Sequence, residues 1–155
     1  MNFFQSMDIA ASAMSAERFR MDVISQNIAN ANTQTTLSGT PYRRQVAVVT
    51  PGDASPFALP VGLDDDDEEG PQFNGNGVKV GGVAQDGAEF RYVYDPTNPN
   101  AEKEGKWKGY VAMPNVNIIT EMTDLIAASR SYEASATAVE SAKGIAMKGL
   151  EIGTR

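Results

Sequence analysis

Residues 3–31, FFQSMDIAASAMSAERFRMDVISQNIANA, contain neither proline nor glycine, and their apolar residues return every three or four positions. Steps of four and three pick out Phe3, Met7, Ala10, Met14, Glu17, Met21, Ile24, Ile28 and Ala31, of which only Glu17 is polar. Met7, Met14, Met21 and Ile28 stand one heptad apart. A narrow stripe of this kind predicts a long helix that faces another helix. At 1.5 Å per residue it should run for about 45 Å. Asn27, Asn30 and Asn32 crowd its end. Asparagine tolerates left-handed backbone and competes for helical hydrogen bonds, so the helix is expected to stop near Asn30.

The other end of the chain mirrors this one. Pro114 cannot continue a strand, Asn117 is a natural N-cap, and Glu121 would sit near the positive end of the following helix. The same steps then give Ile118, Met122, Leu125, Ser129, Tyr132, Ala136, Val139, Lys143, Ala146 and Leu150, eight of them apolar. Gly144 and Gly149 weaken the last turns by about 1 kcal/mol each relative to alanine. This helix should approach about 50 Å. The chain has twenty alanines against five leucines, so both helices are faced largely with small side chains. Such faces pack closely but bury little area each, and two such helices paired only with each other would be marginal. They call for further neighbours.

Between the helices the pattern changes to period two. Arg43–Thr50, Val78–Ala84, Glu89–Tyr94 and Gly109–Met113 read as short strands rich in Val and Tyr, bounded by Gly, Pro, Asn and Asp. Pro51–Gly77 separates the first two and carries the run Asp64–Glu69, so a mobile, disordered insertion is expected there. The fold class is therefore α+β. Long N- and C-terminal helices pair as a coiled-coil-like hairpin around a small β-rich module carrying the acidic loop. In domain terms, residues 1–33 with 115–155 form a helical unit, and residues 34–114, including the insertion 51–77, form the β-rich one.

Composition narrows the chemistry. Among 155 residues there is no cysteine and no histidine, which removes disulfides, thiol nucleophiles, the serine triad and most zinc or copper sites. The formal net charge of −7 argues against nucleic-acid binding. Six of those negative charges are the run Asp64–Glu69, so the rest of the chain is close to neutral and self-repulsion between copies is small. No apolar run is long enough to span a membrane. The first cation is Arg18, with no unbroken apolar stretch after the start, so a cleaved secretory signal is not expected.

The remaining motifs have plain readings. Asp65, Asp67, Glu69 and Gly70 fall at positions 1, 3, 5 and 6 of a calcium loop, but Asn76 stands where a bidentate Glu is needed. An acidic-loop calcium-binding module is nonetheless kept as an alternative. Gly75, Gly77, Gly81 and Gly82 read as turns, since Val80 interrupts any dinucleotide fingerprint. Ser141 and Lys143 are two apart on a helix and cannot face each other. Lys103, Lys106, Trp107 and Lys108 read as a charged loop with one packed indole. No catalytic, metal-binding or cofactor-binding residue is assigned, and no small-molecule substrate is implied.

What distinguishes the chain is the pairing of its two ends. Ser25-Gln-Asn-Ile-Ala-Asn-Ala-Asn-Thr33, followed by Pro41-Tyr-Arg-Arg-Gln45, resembles the Asn-rich signature closing the first helix of bacterial flagellar rod and hook proteins. Gly109-Tyr-Val-Ala-Met-Pro-Asn-Val-Asn117 is similar to that family's lead-in to its last helix. Glu121-Met122, Ala128-Ser-Arg-Ser-Tyr-Glu133, Ala142-Lys143 and Ile152-Gly153 match its body. Tyr94-Asp-Pro96 and Pro99 point to the small, proximal-rod members, although Asn98 stands where relatives often carry His. The motif residues carried over are Asn27, Ala29, Asn30, Asn32 and Thr33, then Tyr42 and Arg43, then Pro114 and Asn115, and finally Ser129, Arg130 and Tyr132.

The resemblance implies a structural subunit that self-assembles helically into the hollow basal-body rod, a shaft that transmits torque and conducts exported subunits. It implies partners: copies of itself, other rod subunits, an adaptor protein at the rod base and the flagellar type III export apparatus. It also implies a periplasmic rod location reached without a cleaved signal peptide, and termini that become ordered on assembly. Met7, Met14, Met21, Ile24 and Ile28 of the first helix are expected to meet neighbouring copies. So are Ile118, Met122, Leu125, Tyr132, Val139 and Leu150 of the last. Another axial subunit of distal-rod or hook type remains an alternative, disfavoured by the short middle.

Overall fold

An unbroken run without helix breakers becomes α1, Phe3–Ala29, 27 residues or about 40 Å long. Its end is made by side chains. Asn30 Nδ2 donates to Gln26 O at 2.9 Å, and Thr33 closes a turn by donating its backbone N–H to Asn30 O and its hydroxyl to Asn30 Oδ1. Among the described residues no non-glycine residue has a positive φ. The asparagines therefore stop α1 through competing hydrogen bonds, not through the left-handed backbone that their composition also allowed. The computed structural model describes residues 3–52 and 77–153. The acidic run Asp64–Glu69, the calcium-loop reading and residues 53–76 of the expected mobile insertion lie outside the described residues, whereas Pro51, the first residue of that insertion, belongs to a strand, and Gly52 donates its backbone N–H to Gly77 O at 2.9 Å.

The second long helix, α2, spans Ile118–Gly153, 36 residues or about 54 Å. Asn117 caps it as expected, its Oδ1 accepting from the Ile119 N–H at 3.0 Å. Gly144 and Gly149 do not interrupt it. The end of α1 meets the start of α2 where Asn27 bonds Glu121, and the two helices pack extensively, so they form an antiparallel hairpin.

Among the described residues the middle supplies two separate two-stranded sheets. β1, Gln45–Pro51, pairs antiparallel with β2, Val78–Gln85, and β3, Arg91–Tyr94, pairs antiparallel with β4, Tyr110–Met113. The β1–β2 register slips at Val48/Val49, leaving Gly81 as the extra residue, with Gly82 next to it at φ +127°. β1 begins two residues later than the sequence pattern indicates, because Arg43 and Arg44 are recruited to other elements. The β3–β4 hairpin is closed by aromatics. Trp107 lies flat on Tyr92 at 4.2 Å and edge-on to Tyr110 at 5.6 Å, which is the packed indole read from the sequence.

The β1–β2 hairpin docks on α1 at Gly77. Ser12 Oγ donates to Ile9 O and accepts from the Val78 N–H at 3.1 Å, pinning the start of β2 to the helix. Gly77 has φ +78°, and a Cβ there would collide with Ser12 Oγ. Among the described residues helix α1 thus packs against both α2 and the hairpin. Its buried face is centred between them, on Ala16, Val23, Ile24 and Asn27. The heptad residues Met7, Met14, Met21 and Ile28 lie on the flank and stay half-buried.

Candidate functional site: a buried polar clamp at the helix exit

Asn27 is the hub. It is 1% exposed, and every hydrogen-bonding position of its amide is used. Nδ2 donates to Gln45 O at 2.8 Å and to Glu121 Oε2 at 2.9 Å. Oδ1 accepts from the Gln45 N–H at 2.9 Å and from the Tyr42 hydroxyl at 3.0 Å. One side chain on α1 therefore holds the first residue of β1 by both backbone groups and touches the first turn of α2. Local sequence makes this possible. Thr33 O accepts from the Tyr42 N–H at 3.1 Å, closing the loop between them and returning the chain to the helix it has just left.

Glu121, fully buried, is the second hub. Its other oxygen, Oε1, accepts from Arg44 Nε at 2.7 Å. The Arg44 guanidinium also lies 3.5 Å from Asp86 and 3.6 Å from Asp124. Burial works against the Arg44 charge. The hydrogen bond to Glu121 and the charges of Glu121, Asp86 and Asp124 outweigh it and raise its pKa above the ordinary guanidinium value. The Arg44 backbone N–H donates to Asn115 Oδ1 at 2.7 Å, and Arg43 Nη1 donates to Asp86 O and Ala88 O while its guanidinium covers the Phe90 ring. Helices α1 and α2, strand β1, the turn after β2 and the segment before α2 are thereby fastened at one point. Beside it is a cavity of about 320 Å³ lined by Arg20, Val46, Arg44, Glu121 and Asp124.

Burial, and then the negative charge of Glu121, push the Tyr42 phenol above its usual value of 10.0. A folded-state pKa above the unfolded one means that this contribution is intact below the ordinary tyrosine range and lost as pH rises through the folded value. Wild-type stability should accordingly fall more steeply than that of Tyr42→Phe above about pH 10, and in parallel with it at lower pH. Urea unfolding of both proteins at several alkaline pH values checks this. Equal slopes would remove Tyr42 from the clamp.

The structure brings together Asn27, Tyr42, Arg43 and Asn115 of the expected motif, with Pro114 buried beside them. Asn30 and Thr33 build the turn, whereas Ala29 and Asn32 are exposed. Ser129 and Tyr132 are half-buried on α2, and Arg130 is exposed. Of the expected contact stripes, Ile24 is buried within the chain, Leu125, Tyr132 and Val139 are half-buried, and Ile118, Met122 and Leu150 are exposed. Glu121 and Arg44 were absent from the expected site. A signal for Glu121 existed: it shares one helical face with Leu125, Ala128 and Tyr132, a position where burying a charged acid is costly unless it is paired.

Comparison with known proteins follows the same residues. The family described as "Flagella basal body rod protein" matches residues 7–34, and "Flagellar basal body rod FlgEFG protein C-terminal" matches residues 108–152. The chain is 42% identical to "Flagellar basal-body rod protein FlgC" of Bacillus subtilis, covering 99% of both chains. It is 40% identical to the protein of that name in Borreliella burgdorferi, over 98% of each. The Salmonella typhimurium protein of that name is 38% identical over 94% of each. With both ends and the middle matched in order, the chain belongs to the FlgC family of flagellar basal-body rod proteins.

Proposed function

We propose that this chain is a structural, non-catalytic subunit of the proximal part of the flagellar basal-body rod, assembling with other rod proteins through its two long helices. One observation supports the reading beyond family membership. The face of α2 turned away from α1 leaves large apolar side chains uncovered, with Ile119 77% and Ile126 55% exposed. A run of exposed isoleucines on a helix marks a surface that another chain covers. The helical unit, residues 1–33 with 115–155, is the axial, shaft-forming part. The β-rich unit, residues 34–114, stands outside it. The stripe residues Met7, Met14, Met21, Met122 and Leu150 contribute to the contacts between subunits. In this reading the subunit reaches a periplasmic rod through the type III export apparatus without a cleaved signal peptide, and meets an adaptor at the rod base. Torque passes through the antiparallel helices, and the clamp at Asn27 and Glu121 keeps the outer unit from swinging on them.

Deleting the gene should abolish swimming and rod assembly, and the wild-type copy should restore both. Ile126→Asp places a charge on the uncovered face and is expected to leave stability within about 0.5 kcal/mol while blocking incorporation. Electron micrographs of basal bodies, with urea unfolding of the purified variant, check the two parts. A deletion strain that swims normally would end the rod reading.

A further inference from the structure

Leu37 is the most exposed large apolar residue among those described, at 110% of its reference area, so its side chain packs on nothing in the chain. A lone exposed leucine is ordinary on a protein surface, but the setting of this one is not. It stands in the loop 36–40, whose other residues are all Thr, Ser or Gly. The Thr36 N–H donates to Thr40 O at 2.9 Å, and the Gly39 N–H donates to Thr36 O at 2.9 Å. The Thr36 hydroxyl also donates to Thr40 O, at 2.8 Å, and the Ser38 hydroxyl lies 2.8 Å from that of Thr36. Gly39 completes the turn at φ +76°, where a side chain would be strained. The loop is tied to itself and holds the leucine out in one shape. Such a pre-organised knob loses little freedom when it is bound.

A recess that suits it opens between the end of α1 and the start of α2, a cavity of about 480 Å³. Ala31, Pro114, Val116 and Ile118 give it an apolar wall, and Ala31 and Pro114 are buried. Arg91 and Asn32 complete the lining. Both are exposed, and neither side chain has a hydrogen bond or ion pair among the described residues. The loop offers the reverse, since the carbonyls of Leu37, Ser38 and Gly39 accept no hydrogen bond among the described residues. An apolar knob flanked by free acceptors matches an apolar recess flanked by free donors. Within one chain the two do not meet. Leu37 stays uncovered although Ala31 and Asn32 lie only a few residues before it, because the loop's own bonds hold it away. Ile118, on the lining, also begins the uncovered face of α2, so the recess continues the surface left for a neighbour.

We propose that Leu37 of one copy seats in this cavity of a second copy, whose Arg91 guanidinium and Asn32 amide donate to the carbonyls of the incoming loop. The proposal rests on the rod-subunit reading. It assigns a specific contact to the loop after α1 and the lead-in to α2, apart from the stripes of the long helices. Knob and recess are carried by the same chain, so copies of it alone complete the contact. Each copy gives its loop to one neighbour and receives the loop of another, a heterologous contact that passes along a ring or a helix.

The test uses a strain lacking its own copy, complemented with full-length variants. Leu37→Lys should keep the wild-type urea midpoint, because the side chain packs on nothing in its own chain. It should nevertheless reduce assembled rods by about tenfold or more, since it brings an ammonium into an apolar recess beside Arg91. Leu37→Met keeps an apolar side chain of similar volume and should assemble. Because the protein has no cysteine, a Leu37→Cys chain and a differently tagged Ile118→Cys chain can be joined by a short bis-maleimide within rods. A product carrying both tags is expected. Normal rod numbers with Leu37→Lys, a lowered urea midpoint for it, equal loss with Leu37→Met, or no doubly tagged product would each overturn the contact. Failure of the wild-type copy to restore rods would instead count against the rod-subunit reading.

Discussion

Replacing Asn27 by alanine should destabilise the protein by about 3–5 kcal/mol, a large part of the roughly 5–15 kcal/mol typical of a domain. The amide makes four hydrogen bonds, and its loss leaves Glu121 Oε2, the Tyr42 hydroxyl and both backbone groups of Gln45 without it. Each buried group left unsatisfied costs about 1–3 kcal/mol, but the losses are not additive, since water can enter beside the cavity. Breaking a buried carboxylate's network from one side is similarly costly, about 3–5 kcal/mol. The urea midpoint of Asn27→Ala should fall with little change in slope, and melting should drop by about 10 °C. Asn32→Ala is the comparison. Asn32 is exposed and makes no side-chain hydrogen bond among the described residues, so its loss should stay within about 0.5 kcal/mol. Equal effects at the two positions would mean that the clamp does not hold the fold.

Ala128→Glu should have an effect of similar size for a different reason. Ala128 is 2% exposed, on the face of α2 that packs against α1. A larger side chain there separates the helices, which costs about 1–3 kcal/mol through overpacking alone. The added carboxylate has no partner inside, and an uncompensated buried charge adds several kcal/mol, or drives the side chain out at the expense of the packing. The helical hairpin is expected to open, with a loss of far-UV helical signal at 37 °C and no rod assembly. Ala127→Glu, one position away and exposed, should behave like wild type. If both variants melted alike, the in-chain contact between α1 and α2 would have been misplaced by the geometry.

Much of the architecture was legible because it depends on short-range pattern. The absence of Gly and Pro over residues 3–29 and the Asn117 cap specify α1 and the start of α2. Alternation with turn residues specifies β2 and β4 almost to the residue. The capping, propensity and periodicity that carry these readings act within a few positions of one another. The methionine heptad was legible as a stripe but not as a half-buried flank. Its burial depends on where the β1–β2 hairpin lands, and that is decided at Ser12 and Gly77, far apart in sequence.

The clamp divides along the same line. Asn27, Tyr42, Arg43 and Asn115 stand out as residue types in a recognisable order, and chain order alone was enough to point to the family. Their partner Glu121 looks, in one dimension, like an acid placed to favour a helix N-terminus. Its ion pair with Arg44, Arg44's reach to Asp86 and Asp124, and the complete saturation of Asn27 join residues up to 94 positions apart. A hydrogen bond requires an approach within about 3 Å and a defined angle, and no periodicity encodes such an approach between distant segments. Local pattern therefore laid down two amphipathic helices, a β-rich middle and a family order of motifs. Three-dimensional packing chose which asparagine is the hub, which acid is buried, and which apolar face remains for a neighbour.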